Sequence, residues 1–177
     1  MRTDRPNAIQ GGGTAILISN KLKFKEIPVK IKIAAEPIEI TAISLNCINN
    51  YKLIVIAIYA PRHNNHSFID ELDELFAQNQ LRDEKNLYII AGDFNSRHKD
   101  WGDTITCPRE AFITNWLINT QLENKATLYT PSCPTYKRAD AESYIDLCIA
   151  DSRIDITNLK NDRCQVVDYD SNHKALL

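Results

Sequence analysis

Leu87-Tyr88-Ile89-Ile90-Ala91-Gly92-Asp93-Phe94-Asn95 is the stretch on which the fold turns. Five apolar residues form a short strand that ends abruptly at Gly92-Asp93. Beyond that break Asp93 and Asn95 stand two residues apart, so in extended chain both side chains project to one side while Phe94 packs on the other. A carboxylate beside an amide can orient a water molecule and hold a phosphate oxygen. Taken alone, the same residues are an Asp-Asn turn after a strand.

Working outward, the chain reads as apolar strands broken by turns, with two helical stretches and no repeat. Towards the N-terminus, Leu53 to Tyr59 and Glu39 to Leu45 are strands, and Gly13 to Ser19 reads as a buried one. Lys21, Lys23 and Lys25 alternate with Leu22 and Phe24, which places the lysines on the wet face of a further strand. Ser67 to Gln78 is helical: Phe68, Leu72, Leu75 and Phe76 recur at helical spacing, and Ser67 with Asp70 resembles a capping box. The acids Asp70, Glu71, Asp73 and Glu74 then form a solvated face. Towards the C-terminus a second helix starts at Pro108, carrying Phe112, Ile113, Trp116 and Leu117 inward. Ser143 to Ala150 alternates, with Ile145, Leu147 and Ile149 on one face and Tyr144, Asp146 and Cys148 on the other. Many strands and few helices suggest two packed mixed sheets flanked by helices, an α+β sandwich.

Bulk properties narrow the function. The 177 residues suit one domain with a real core, and 44% hydrophobic with 25% charged residues excludes disorder. The longest apolar run, Leu53 to Ala60, is too short to span a bilayer, and Met1 to Pro6 lacks the apolar segment of a secretory signal. A nuclear or cytoplasmic, non-secreted protein is the expectation. Cys47, Cys107, Cys133, Cys148 and Cys164 are odd in number and never paired as C-x-x-C, which argues against a disulfide framework and a zinc knuckle. They read as small buried apolar residues. A net charge of −2 excludes a simple nucleic-acid coat protein but not a nuclease, whose cationic contacts are local.

Three further positions carry chemistry. Asp146 is the one acid in an otherwise apolar strand; it is either a water-facing residue or a half-buried carboxylate in need of a partner. His173, within Ser171-Asn172-His173, becomes an acid/base or phosphate-stabilising group once a carboxylate fixes its ring. Tyr59 closes the apolar run before Ala60-Pro61, where an interfacial core aromatic is the simpler reading. Two tempting features carry little. Gly11-Gly12-Gly13 has no strand before it and no helix after it, so it is not a dinucleotide fingerprint. His63 and His66 lack a third ligand at suitable spacing and read as a loop.

The order Ile58-Tyr59-Ala60-Pro61, Ala91-Gly92-Asp93-Phe94-Asn95, Ser143-Tyr144-Ile145-Asp146-Leu147 and Ser171-Asn172-His173 resembles the endonuclease/exonuclease/phosphatase superfamily over nearly the whole chain. Ser96-Arg97-His98 with Trp101-Gly102, Pro134-Thr135-Tyr136 and the Gly11 to Ile16 segment are similar to the endonuclease domain of insect jockey-like non-LTR retrotransposons. The resemblance implies a four-layered α/β/β/α sandwich of the pancreatic-DNase type and Mg²⁺-assisted in-line attack of water on a phosphodiester. Asp93 would orient or deprotonate the water, Asn95 would hold it and the phosphate, and His173 braced by Asp146 would stabilise the phosphoryl oxygens. Tyr59 would contact the phosphate or leaving oxygen. Arg97, His98 and Trp101 would meet DNA. The expected partner is DNA, and the expected state a monomer derived from a fusion to a reverse transcriptase.

Two departures qualify this expectation. The family begins with strands that carry an asparagine and then a metal-binding glutamate, whereas here only ten residues precede Gly11. Glu26, Glu36 and Glu39 lie downstream of the glycine segment and are not replacements. Asn172 stands where the family has aspartate, so it would be a weak metal ligand. The single domain, residues 1–177, is therefore expected to lack its first strands and the completion of a last strand begun at Lys174-Ala175-Leu176-Leu177. Little or no nuclease activity is expected in consequence. Two alternatives stay open: a superfamily hydrolase acting on RNA or small phosphoesters, and a non-catalytic remnant that binds nucleic acid.

Overall fold

A computed structural model describes residues 2–3, 13–29, 38–61, 67–119, 125–154, 166–167, 171–173 and 175–176. Gly11, Gly12, Glu36, His63, His66, Cys164 and Lys174 lie outside the described residues. The chain divides into two compact units, Met1–Gly92 and Asp93–Leu177. The boundary falls between the two residues at which the apolar strand was expected to break.

In the first unit, β1 (Arg2–Thr3) pairs antiparallel with β2 (Thr14–Ala15). The strand expected over Gly13 to Ser19 stops at Ala15, and Leu17 is fully exposed rather than buried. β3 (Phe24–Ile27) is also shorter than the lysine alternation suggests, because Leu22 N–H bonds back to Ser19 O and makes a turn of Lys21-Leu22. β4 (Glu39–Asn46) and β5 (Lys52–Tyr59) pair antiparallel along their full lengths, from Glu39 with Tyr59 to Asn46 with Lys52. Ile40, Thr41 and Ile43 in β4 and Ile54, Val55, Ile56 and Ile58 in β5 are β-branched and suit the pleated surface. Ile54, Ile56 and Ile58 alternate into the core.

Helix α1 (Phe68–Gln78) buries Phe68, Leu72, Leu75 and Phe76, each contributing roughly 1.5–3 kcal/mol of burial. Two readings of this helix need correction. Ser67 makes no side-chain capping bond, because its backbone is already helical (φ −92°, ψ −5°) and not the extended conformation of a capping residue. Glu71 is fully buried, not solvated: it sits three residues after Phe68 and four before Leu75, on the apolar stripe, where its carboxylate accepts from Ile38 N–H (3.4 Å).

β6 (Asn86–Asp93) follows, beside β5 in the order β3, β4, β5, β6. Tyr88 and Ile90 are buried, and Phe76 meets the Tyr88 ring edge-on at 5.2 Å. Gly92 lies against β5. A Cβ there would sit 2.0 Å from the Ile58 carbonyl oxygen, and its φ of +145° suits glycine alone.

The second unit contains α2 (Pro108–Asn119), which opens on Pro108 as expected. Ile113 and Trp116 are buried, Phe112 and Leu117 only half-buried. Three short strands here, like the later one at Val166–Val167, escape the sequence reading: β7 (Ala126–Tyr129), β8 (Tyr136–Arg138) and β9 (Ala141–Ser143). The latter two pair as a hairpin that turns at Ala139 in left-handed conformation (φ +50°). β10 (Asp146–Asp151) pairs antiparallel with β7, with Leu147 and Ile149 buried and Asp146 and Cys148 half-buried. β11 (Val166–Val167) pairs with β12 (Ala175–Leu176).

None of the four described cysteines is fully buried: Cys47 is exposed, and Cys107, Cys133 and Cys148 are intermediate. Cys47 stands beside a turn; Cys148 lies on the wetter face of β10, where burial still pushes its thiol pKa up to about 11. Among the described residues no helix is long and apolar enough to cross a membrane.

Candidate active site

The second unit brings four of the expected site residues together. β6 delivers Asp93, and the chain then turns sharply. Asp93 Oδ1 accepts from Asn95 N–H at 2.7 Å, and Oδ2 lies 3.3 Å from Asn95 Nδ2. This is an Asx turn, and Asn95 takes the left-handed conformation (φ +47°) that asparagine tolerates well. The simple turn reading and the chemical reading thus describe one object, since the bonds that make the turn also fix the carboxylate and amide side by side.

Phe94 locks that turn. Its ring is fully buried and its N–H donates to Ile145 O at 3.0 Å, just before β10. Its carbonyl accepts from Arg109 Nη1 at 2.8 Å. Arg109 is 1% exposed, so its guanidinium is desolvated and needs acceptors of this kind. The sequence did hold a signal for it: Arg109, Ile113 and Trp116 lie at i, i+4 and i+7 on one helix face.

Asp146 opens β10, and its N–H lies 3.3 Å from the hydroxyl of fully buried Thr135. Its Oδ2 sits 3.2 Å from His173 Nδ1. On the other side of the imidazole, His173 Nε2 is 3.8 Å from Asp93 Oδ2. One histidine therefore stands between two carboxylates. The near contact fixes the ring, while the far one is longer than a hydrogen bond and has room for a shared third partner such as a water or a phosphate oxygen. The β8–β9 hairpin completes the support. Tyr136 forms a β-bridge with His173 and meets its ring edge-on at 4.9 Å, and Lys137 N–H donates to Asn172 O at 2.7 Å. Thr135 and Tyr136 acquire these supporting positions from pairings distant in the chain.

Other candidates lie elsewhere. Tyr59 ends β5 in the first unit, paired in register with Glu39, whose carboxylate accepts from Gly13 N–H. Asn172 is exposed. Arg97 is tied to Asp103, Nε 3.0 Å from both carboxylate oxygens and Nη2 2.7 Å from Oδ1, and its remaining reach is to Glu142 O at 3.4 Å. It also lines a cavity of about 530 Å³ with Lys137 and the hairpin turn. His98 accepts from Asp100 N–H and stands 5.6 Å from the half-buried Trp101 ring. Gly102 closes that turn at φ +93°, with the Tyr144 ring 2.9 Å from where a Cβ would be.

Asp103 has a lowered pKa. Burial pushes its pKa up, but hydrogen bonds from Arg97 and from the N–H groups of Tyr144 and Ile105, with the Arg97 charge, outweigh that and hold it below the ordinary carboxylate value.

Asp93 and Asn95 offer oxygens, but among the described residues no group of three or more acids, histidines or cysteines could hold an ion. Mg²⁺ requires an octahedral oxygen shell anchored by carboxylates, so the described residues do not build its site.

The second unit thus sets an Asp-x-Asn turn facing a carboxylate-braced histidine. Residues 53–177 match the family model described as endonuclease-reverse transcriptase, and the chain belongs to that family. Among solved structures it is similar to the endonuclease domain of TRAS1, a telomere-specific non-LTR retrotransposon, at 15% identity and a TM-score of 0.61. That match covers 89% of this chain and 66% of the TRAS1 chain, and it shows the α+β sandwich fold. A search of curated proteins found no match.

Proposed function

We propose that the second unit carries a DNA endonuclease centre that hydrolyses phosphodiester bonds and works slowly in this chain. The observation that supports this reading is the His173 imidazole held between Asp146 and Asp93, with Asn95 fixed beside Asp93. Asp93 orients a water molecule and takes its proton as the oxygen attacks phosphorus in line with the leaving oxygen. Asn95 steadies that water and a phosphoryl oxygen. His173, oriented by Asp146, faces the charge that builds on the phosphoryl oxygens. Such a centre acts mainly by positioning and electrostatics. Mg²⁺ would add charge neutralisation at the phosphate, and the slow rate is proposed because the described residues alone do not offer it a full carboxylate shell.

The test is nicking of supercoiled plasmid with Mg²⁺, with the TRAS1 domain assayed alongside. Wild-type nicking is expected to be about 100-fold slower or more than that of TRAS1, a deficit of about 2.7 kcal/mol in barrier. Asp93→Ala and His173→Ala should each remove what remains. Nicking that survives both substitutions would overturn the assignment, and a rate equal to that of TRAS1 would overturn the impairment. Release of phosphate from small esters without nicking would instead favour another hydrolase of the superfamily.

A further inference from the structure

β3 is the end strand of the ladder β3, β4, β5, β6 in the first unit. Among the described residues no strand pairs with its far side, and no loop hydrogen bond reaches the backbone of Phe24 to Ile27. Along a strand, successive residues turn their N–H and C=O groups to opposite edges, so half of β3 directs these groups away from β4. Such an edge is a template for another strand.

The strand register fixes what each face of that edge presents. Lys25 pairs with Ser44, which pairs with Ile54; Phe24 pairs with Leu45, which pairs with Leu53. One residue further, Lys23 falls opposite Asn46, which pairs with Lys52. Alternation puts Lys23, Lys25 and Lys52 on one face, and Phe24 and Glu26 on the other. The lysines are exposed, make no ion pair among the described residues, and border a cavity of about 500 Å³. On the opposite face Leu53 and Leu45 are half-buried and Phe24 is 42% exposed. These three side chains form an apolar row across the strands that stops at the open edge.

Charge decides the occupant. A second copy of this chain, added antiparallel with its faces aligned, would set lysine against lysine, which like charges oppose. A strand with acids at alternate positions sets them opposite Lys23 and Lys25, because side chains on both strands repeat every two residues. The residue between the two acids then stands opposite Phe24, and an apolar side chain there extends the row.

We propose that the β3 edge is an interaction surface for a protein partner, which adds an extended segment of the pattern acid–apolar–acid as a further strand. Backbone hydrogen bonds supply the affinity, and the lysines and Phe24 select the sequence. The surface works whether or not the Asp93 centre cleaves.

The test is fluorescence anisotropy of the full chain with a labelled peptide of about nine residues that alternates glutamate and valine. Wild type should bind it about tenfold more tightly than a peptide of the same composition with its glutamates consecutive. The K23E/K25E variant should lose about tenfold for the glutamate peptide and gain about as much for one that alternates lysine and valine. Phe24→Ala should weaken binding about threefold. Of two peptides, one N-methylated at its glutamates and the other at its valines, one should bind and the other fail, since only one set of amides faces β3. Circular dichroism checks that each variant is folded. No binding by wild type up to about 1 mM peptide, equal affinity for the alternating and consecutive patterns, or an unchanged charge preference in K23E/K25E would overturn the proposal. Binding of both methylated peptides would also overturn it, by showing that no strand is added. Displacement of the peptide by an equal concentration of oligothymidylate would do the same, by showing a site for polyanions of any kind.

Discussion

Asp103 shows how one carboxylate can organise a loop. It pairs with Arg97 and accepts from the N–H of Tyr144, which stands two residues before Asp146. Its folded pKa is depressed, so its contribution is fully present above the ordinary carboxylate value and is lost as pH falls through the folded one. Asp103→Asn should therefore cost about 3 kcal/mol near neutral pH, and the gap to wild type should narrow below about pH 4. Urea unfolding of both proteins across pH measures this, and a constant gap would refute it. Asp93, Asn95, Asp146 and His173 were legible because each is polar where the pattern around it is apolar or ends. Asp103 and Thr135 were not, since their partners Tyr144 and Asp146 lie 41 and 11 residues away and local spacing carries no trace of such pairs. Arg109 was half legible: the helix face was visible, but its acceptor, Phe94 O, was not.

Elements follow the same division. β4, β5 and β6 are runs of eight residues rich in branched apolar side chains, long enough for pattern to settle them. β8 and β9 have three residues each, Tyr136-Lys137-Arg138 and Ala141-Glu142-Ser143, with no apolar alternation; cross-strand pairing holds them, and it brings Tyr136 to His173. The most exacting joint between elements is β6 against β5 at Gly92. Backbone cannot yield there as a side chain can, so Gly92→Ala should cost about 3 kcal/mol or more, or prevent folding. Gly102→Ala carries the strain of a φ of +93° but meets the Tyr144 side chain and not backbone, and should cost less than Gly92→Ala. Comparing the two by thermal melting decides the matter, and a Gly92→Ala melt matching wild type would show that β5 and β6 can separate at no cost.

For the molecule as a whole, the family was legible from ordered motifs, whereas electrostatics depends on where charges sit. The chain carries a net charge of −2 and a pI near 6.1, so at neutral pH its long-range field repels the polyanion that the proposed endonuclease centre would act on. Net charge governs encounter at distance, and local clusters govern contact within a Debye length, about 8 Å at physiological salt. Below the pI the sign of the net charge reverses. Metal-free affinity for duplex DNA at low salt should accordingly rise about tenfold between about pH 7.5 and about pH 5.5. Filter binding at both pH values tests this, and repeating it near 1 M salt, where the screening length is about 3 Å, should erase the difference. A pH difference that survives high salt would assign the effect to local contacts and not to the net charge. Affinity that is flat with pH at low salt would mean that local contacts alone set binding and that the net charge of this chain has no part in finding its substrate.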